Sequence, residues 1–284
     1  MVEIKSLANI SFDLIFLAFK EAFKDYEMQL NKKELQVMLN RRGFNPELSF
    51  AAFENDKIIS FTLNGTGIYN NIKTAYDTGT GTIKMYRGQG LAVKIFQHSI
   101  PFLKEMGISQ YLLEVLQHNS KAVLLYKKLG FEIKREFNYY VQKTNNINLK
   151  IRNTDYFWQI KNIGLTSKKV MTGFWDFIPS WQNSFDSISR RPDDFKIIGI
   201  FDENKLVGYS VFEPNSGDIT QIAVDNNYRR KGIATTLLKE ILKLNKHHSI
   251  KILNTAIDCN SINDFLKAHS ISVSGKQFEM IKQL

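Results

Sequence analysis

The feature that most constrains this chain is that it repeats itself. Tyr86-Arg87-Gly88-Gln89-Gly90-Leu91-Ala92 returns as Tyr228-Arg229-Arg230-Lys231-Gly232-Ile233-Ala234, 142 residues later in a chain of 284. A domain commonly runs to roughly 100–150 residues, so a repeat at half the chain length points to two copies of one unit. The surroundings agree. Upstream of each copy a polar turn separates two apolar runs, at Phe53–Ile59 and at Phe201–Val207, which is the pattern of an antiparallel hairpin. Downstream, Ile233, Ala234, Leu237, Leu238, Ile241 and Leu242 form a helical stripe that stops at Asn245. In the first half Leu91, Ala92, Ile95, Phe96, Leu103 and Met106 do the same up to Gly107, with Pro101 expected to kink the helix or end its regular part. A strand at Tyr111–Leu116 and a short helix at Ala122–Lys128 follow. Each half therefore reads as helices, a hairpin, then strand, turn, helix, strand and helix. That is a mixed α/β (α+β) layout, present twice. The Asn-rich stretch Thr144–Lys150, ahead of a strand start at Leu149–Ile151, divides the chain into domains 1–145 and 149–284.

Composition narrows the function classes. Apolar residues make up 43 % and charged residues 23 %, as in an ordinary globular chain, which excludes disorder. The single cysteine, Cys259, excludes an internal disulfide framework and a multi-cysteine zinc site. The start Met-Val-Glu-Ile-Lys lacks the basic and apolar regions of a signal peptide. The apolar stretch Ile10–Phe23 is broken by Asp13, Lys20 and Glu21, and falls short of the about 20 residues a membrane span needs. Its helical spacing marks a core-facing helix. The expectation is a cytoplasmic protein with no membrane partner. The net charge of +10 is shared evenly, 19 basic against 14 acidic residues on each side of residue 145, without a dense basic run. This favours an anionic small molecule over a nucleic acid.

The repeated turn supplies a place for such an anion. A strand at Thr78–Lys84 leads into Arg87-Gly88-Gln89-Gly90-Leu91-Ala92, which opens a helix. The first amides of a helix lack backbone partners and carry partial positive charge, so they suit a phosphate. Gly88 and Gly90 allow close approach of the backbone, and Arg87 adds charge. The turn has neither the Gly-Lys-Ser/Thr of a P-loop nor the Gly-x-Gly-x-x-Gly of a dinucleotide fold, so nucleotide hydrolysis and hydride transfer have no support.

These residues resemble the signature of the GNAT superfamily of acetyl-CoA-dependent N-acetyltransferases, Gln/Arg-x-x-Gly-x-Gly/Ala after a strand. Arg87, Gly90 and Ala92 match it, as do Arg229, Gly232 and Ala234. Leu113-Glu114-Val115 followed by Asn119, Ala122, Tyr126 and Leu129-Gly130-Phe131 resembles the second segment of the same family. The whole chain resembles a tandem pair of such domains. The resemblance implies a mostly antiparallel central sheet with flanking helices and a V-shaped splay in each domain. It implies acetyl-CoA as cofactor and an amine of a small molecule or peptide as acceptor. The pyrophosphate would lie on Arg87, Gly88, Gln89, Gly90, Leu91 and Ala92, and the pantetheine along Thr80, Gly81 and Thr82. In the second domain the counterparts are Arg229, Arg230, Lys231, Gly232, Ile233 and Ala234, with Ile222, Ala223 and Val224. Asn119 would hold the cofactor, cap the following helix, or do both.

Acetyl transfer to an amine requires removal of a proton from an ammonium group, whose pKa is near ~10.4 for a lysine-like amine, and protonation of the leaving thiolate. Glu114, a carboxylate on a mainly apolar strand, is the first candidate base, and Asp77 is the alternative. The Glu114-to-Tyr126 spacing is similar to that of ribosomal-protein N-terminal acetyltransferases, where these positions act as base and acid. Tyr126 is accordingly the candidate acid. The second half departs from the pattern. Aligning Ser270-Ile271 with Gly130-Phe131 places Leu266 at the Tyr126 position. Chemistry is therefore expected in the first domain, with the second binding coenzyme A weakly, shaping the acceptor site or serving as structure. A non-catalytic acyl-CoA-binding module is the alternative for the whole chain.

Two further patterns lack the partners their chemistry needs. Asp77-Thr78-Gly79 matches an aspartic-protease triplet, but the chain has no second one. His98, His118, His247, His248 and His269 have no metal-ligand spacing, so no metal is expected, and Cys259 has no base beside it. The acceptor pocket would draw on the helices of residues 11 to 43 and parts of the second domain; Glu21, Asp25, Tyr26 and Glu27 are compatible with a cationic amine and equally with a solvated helix face. The expected state is a monomer or homodimer.

Overall fold

The computed structural model describes residues 2–26, 29–149 and 157–284. Glu27, Lys150 and Ile151, invoked above for the acceptor pocket and the domain boundary, lie outside them. The chain divides into two compact units. The first comprises residues 1–115, 119–134 and 279–284; the second comprises residues 116–118 and 135–278. The last residues of the chain thus belong to the first unit.

The first unit starts with β1 (Glu3–Ser6), α1 (Phe12–Ala22) and α2 (Lys32–Arg42), followed by β2 (Phe50–Glu54), β3 (Lys57–Tyr69) and β4 (Ile72–Thr82). α3 (Leu91–Glu105), β5 (Gln110–Leu116) and α4 (Ser120–Lys128) complete its helical side. The sheet order is β1-β2-β3-β4-β5, and β5 neighbours β12 (Gly275–Gln283), whose final residues belong to this unit. β1 to β4 pair antiparallel, and β4 pairs parallel with β5. β2 reads Phe-Ala-Ala-Phe because the sheet is covered on both faces. Ala51 and Phe53 join Ile15, Phe19, Leu35 and Leu39 of α1 and α2. Phe50 and Ala52 instead meet Leu91 and Ile95 of α3. At α2, Asn31 and Glu34 form a reciprocal capping box, and Gly43 ends the helix in the left-handed region at φ 79°.

The second unit contains most of β6 (Glu132–Lys143), then β7 (Gln159–Asn162), α5 (Lys168–Thr172), α6 (Phe185–Ser189), β8 (Lys196–Asp202) and β9 (Lys205–Glu213). β10 (Asp218–Val224), α7 (Ile233–Leu244), β11 (Ser249–Ala256) and α8 (Asn260–Ala268) follow. The order is β6-β11-β10-β9-β8-β7, antiparallel except for the β10–β11 pair. Ile233, Leu237, Leu238 and Ile241 of α7 are buried against Ile198, Ile200 and Val207. On the other face the short α5 and α6 and their loops supply Met171, Phe185 and Ile188, packed with Tyr209 and Val211.

The chain therefore has the mixed α/β sheet with flanking helices expected in both halves. Of the two readings for Pro101, an end to the regular helix does not occur: α3 runs through it to Glu105. One local reading differs. β4 begins at Ile72, six residues before the expected strand, because β3 extends to Tyr69 and gives it a long antiparallel partner.

Candidate active site

The contact between β4 and β5 is brief. Thr74, Ala75 and Tyr76 lie opposite Gln110, Tyr111 and Leu112, and there the register ends. A bulge in β4 follows. The pairing shifts between Asn64–Asp77 and Leu63–Gly79, which leaves Thr78 as the extra residue. Its hydroxyl donates to Leu63 O at 2.9 Å, while Arg42 Nη1 donates to Thr78 O at 3.3 Å. These bonds pin the bulge where the strands part.

Asp77 is the first residue of β4 beyond the paired stretch. Its Oδ1 accepts the Gly79 amide at 2.9 Å; its Oδ2 accepts the hydroxyls of Thr80 at 2.8 Å and Tyr126 at 3.0 Å. Burial raises the Asp77 pKa, outweighing the three donors and Arg42, which act to lower it. Burial also holds the Tyr126 phenol well above its ordinary range, and the Asp77 charge pushes it further the same way. The Tyr126 ring packs on Phe131, and Phe131 meets Tyr111 edge-on. Tyr111 in turn donates to Asn64, so the phenol stands on a packed aromatic floor.

Of the two candidate bases, the structure brings Asp77 to Tyr126. Glu114 is partly buried on β5 and accepts a hydrogen bond from the fully buried Tyr76. The Tyr76 phenol is raised well above its usual range by burial and then by the Glu114 charge. Asn119 caps α4, its side chain accepting the Ala122 amide at 3.3 Å. His118 is exposed on the turn before it.

The glycine turn is exposed and its helix start is open. Gly88 and Gly90 have φ of 82° and 73°, and a Cβ at either would meet no atom within 4 Å. No side chain caps α3. The amides of its first turn therefore have no side-chain cap, and the positive end of the helix dipole lies there, which suits a pyrophosphate. Arg87 braces this turn: Nε donates to Thr82 O at 3.1 Å and Nη2 to Ala22 O at 2.8 Å. Along β4, the Thr82 hydroxyl lies 2.8 Å from that of Ser60. A Cβ on Gly81 would stand 2.6 Å from the Phe61 ring, so close packing excludes a side chain there. Among the acceptor candidates, Asp25 pairs with Lys84 at 3.2 Å, Tyr26 packs edge-on against Phe23, and Glu21 is exposed.

The second unit repeats this scaffold with different contents. β10 and β11 pair at Asp218–Lys251, and Thr220 takes the bulge position. Gly232 opens α7 at φ 83° with no side-chain cap, and Arg230 has φ 65°. Arg229 braces the turn as Arg87 does, with Nε donating to Val224 O at 3.3 Å, again five residues back. The cleft is a cavity of about 460 Å³. Ile222, Ala223 and Val224 line it, together with Trp175, Tyr209, Gly232 and Phe265. Lys231 Nζ sits over the Tyr228 ring at 4.6 Å. Where the first unit has Asp77, the repeat offset of 142 places Ile219; aligning Gly130 with Ser270, an offset of 140, sets Glu114 against Asn254 and Tyr126 against Leu266.

One contact had no sequence signal. Asp176 accepts Arg229 Nη2 at 2.8 Å and the Ser261 hydroxyl at 2.5 Å, across 53 and 85 residues of chain. Burial raises its pKa, but these bonds and the Arg229 charge outweigh it and hold the carboxyl below its ordinary value. Cys259 is half-buried at the cavity wall, 3.9 Å from Asp176. Among the described residues no cluster of His, Cys, Asp and Glu could hold a metal, and no helix is long and apolar enough to cross a membrane.

Comparison with known proteins agrees with the scaffold. The fold matches a GCN5-related N-acetyltransferase from Sphaerobacter thermophilus at a TM-score of 0.73 and 12 % identity, over 99 % of this chain and 95 % of that one. It also matches a tandem GNAT protein from the clavulanic acid biosynthesis pathway at 0.73 and 11 % identity, over 100 % and 98 %. In sequence, the chain is 33 % identical over 102 residues to N-alpha-acetyltransferase 30 of Schizosaccharomyces pombe, covering 35 % of this chain and 68 % of that protein. It is 31 % identical over 107 residues to N-alpha-acetyltransferase MAK3 of Arabidopsis thaliana, covering 37 % of this chain and 56 % of that one. The Acetyltransferase (GNAT) family matches residues 12–131 and again 159–265. With the splayed sheet and the open glycine turn present in both units, the chain belongs to the acetyltransferase (GNAT) family.

Proposed function

We propose that the chain is a direct, acetyl-CoA-dependent N-acetyltransferase for a primary amine of a small molecule or peptide, with its chemistry in the first unit. The observation that carries this is Tyr126, held on Asp77 where the β4–β5 pairing ends, in a unit whose α3 starts without a side-chain cap. Acetyl-CoA, when bound, supplies an acetyl group activated as a thioester. The amides of Gly88–Ala92 would hold its pyrophosphate, with Arg87 keeping the turn in shape. The β4 edge at Thr80–Thr82 would pair with the pantetheine, and Asn119 would add a side-chain contact. Tyr126 gives a proton to the leaving sulfur, and Glu114 or Asp77 takes one from the amine. The similarity to two N-alpha-acetyltransferases supports an amine acceptor of this kind.

The second unit favours a different role. It keeps the glycine turn and a cavity of about 460 Å³, while Ile219, Asn254 and Leu266 stand in place of Asp77, Glu114 and Tyr126. We infer that it binds coenzyme A or its acyl esters without turnover. The test of the main reading is acetyl-CoA consumption against a panel of amines and peptide N-termini. Transfer to at least one of them is expected. Binding of acetyl-CoA without transfer to any would leave the chain a non-catalytic acyl-CoA-binding module.

A further inference from the structure

The Asp-Thr-Gly triplet at 77–79 has no protease partner, yet its carboxylate is the most fully bonded acid at the first site. Asp77 receives three donors, from Gly79, Thr80 and Tyr126. The direction of the last bond matters. A phenol has one proton, and here that proton points at Asp77, so the remaining lone pairs of the Tyr126 oxygen face away as acceptors. In this state Tyr126 can receive a proton from outside only by passing its own to Asp77. It can deliver one only by drawing it back.

We propose that Asp77 is a positioning residue that stores a proton behind Tyr126, so that the pair takes one proton from the incoming ammonium and returns it to the leaving sulfur. The step balances. An N–H bond of the ammonium breaks as an O–H bond forms on Tyr126, and the phenolic proton moves to Asp77, which becomes neutral. The freed amine forms the N–C bond, and the C–S electron pair leaves with sulfur. Sulfur then takes the Tyr126 proton, and Tyr126 recovers its own from Asp77. The second nitrogen proton goes to water, directly or through Glu114. No oxidant, reductant or further reactant enters. Both groups end as they began.

Three observations support the store. Burial makes Asp77 a better proton acceptor than an exposed aspartate, while Tyr126 stays neutral. The charged or titratable groups that act on Asp77 or feel its charge are Tyr126 from α4, Arg42 from α2, Tyr111 from β5 and the neighbouring Tyr76, whose hydroxyl is bonded to Glu114, so Tyr126 is the one that donates directly to the Asp77 carboxylate. The other repeat provides an internal control. Its counterparts, Ile219 and Leu266, both belong to one buried apolar cluster. Carboxylate and phenol are thus replaced together, as expected of groups that work as a pair.

This inference rests on the transferase reading, and the experiment separates the two. Wild type, Asp77→Asn, Tyr126→Phe and the double variant are compared for kcat with an accepted amine and for equilibrium binding of acetyl-CoA. Each single variant should lose about 100-fold in kcat, the lower end for a positioned acid–base group, with acetyl-CoA binding unchanged. The double variant should lose no more than the worse single one, because the two act on one proton path. A kcat for Asp77→Asn within twofold of wild type, or losses that multiply in the double variant, would overturn the proposal while leaving the transferase reading intact. No transfer by wild type to any amine would remove both. Should Asp77→Asn fail to fold, Asp77→Ser, whose hydroxyl can still accept from Tyr126, carries the same comparison.

Discussion

Burial holds both Asp77 and Tyr126 away from charge; the carboxylate pushes the phenol further the same way, while the bond from the phenol acts in favour of the carboxylate's charge. Tyr126→Phe keeps the ring on Phe131 and removes only the hydroxyl. Steady-state kinetics should therefore show kcat down by about 100-fold or more with KM for acetyl-CoA unchanged. The raised Asp77 pKa also has a sign in stability. In the folded state the carboxyl binds its proton more readily than the unfolded chain does, for which the value is near ~3.9. Its contribution is then most favourable below about pH 4 and is lost as pH rises through the higher folded value. Asp77→Asn does not titrate, so denaturant unfolding should show the variant gaining on wild type between pH 4 and pH 7. A difference that stays constant or moves the other way would contradict the burial account. Asp77 itself was legible as a candidate base, but its tie to Tyr126 was not. The two stand 49 residues apart, and only the β4 bulge and the packing of α4 bring them together.

At the scale of the element, the parts that were readable are those whose signal is local. The glycine turns and the helix stripes of α3 and α7 appear where their spacing places them, since period and capping are written in consecutive residues. The start of β4 is not legible because Lys73 and Thr74 look unlike a buried strand; Thr74 is buried by bonding within the sheet. The short α5 and α6 gave no period to read. Arg87 offers a charge for phosphate, and its bonds to Thr82 and Ala22 brace the turn as well. Arg87→Ala should raise KM for acetyl-CoA several-fold and lower stability by about 1 kcal/mol, the usual worth of a lost hydrogen-bonded contact. In α7, Leu237 is fully buried. Leu237→Ala should cost about 2–5 kcal/mol by denaturant unfolding, with little effect on kcat, since it lies in the other unit.

For the whole molecule, the repeat was legible as a half-length offset, and the family match over both halves follows it. What the linear comparison showed only in part is that the second site lacks counterparts of all three candidate acid–base groups of the first. Leu266 was visible against Tyr126, but Ile219 and Asn254 gain meaning only beside a built Asp77 and Glu114. Both glycine turns stay open, so equilibrium binding should find two acetyl-CoA sites per chain. The central claim is that the first of them alone performs transfer. The most direct test compares Gly90→Asp with Gly232→Asp. Aspartate tolerates the left-handed backbone better than most residues and suits a helix N-terminus, while its charge repels a pyrophosphate from the turn. The account predicts that Gly90→Asp loses acetyl transfer by at least about 100-fold in kcat/KM for acetyl-CoA, equivalent to about 2.7 kcal/mol, and that Gly232→Asp stays within a few-fold of wild type. Loss of transfer in Gly232→Asp with activity retained in Gly90→Asp would contradict it.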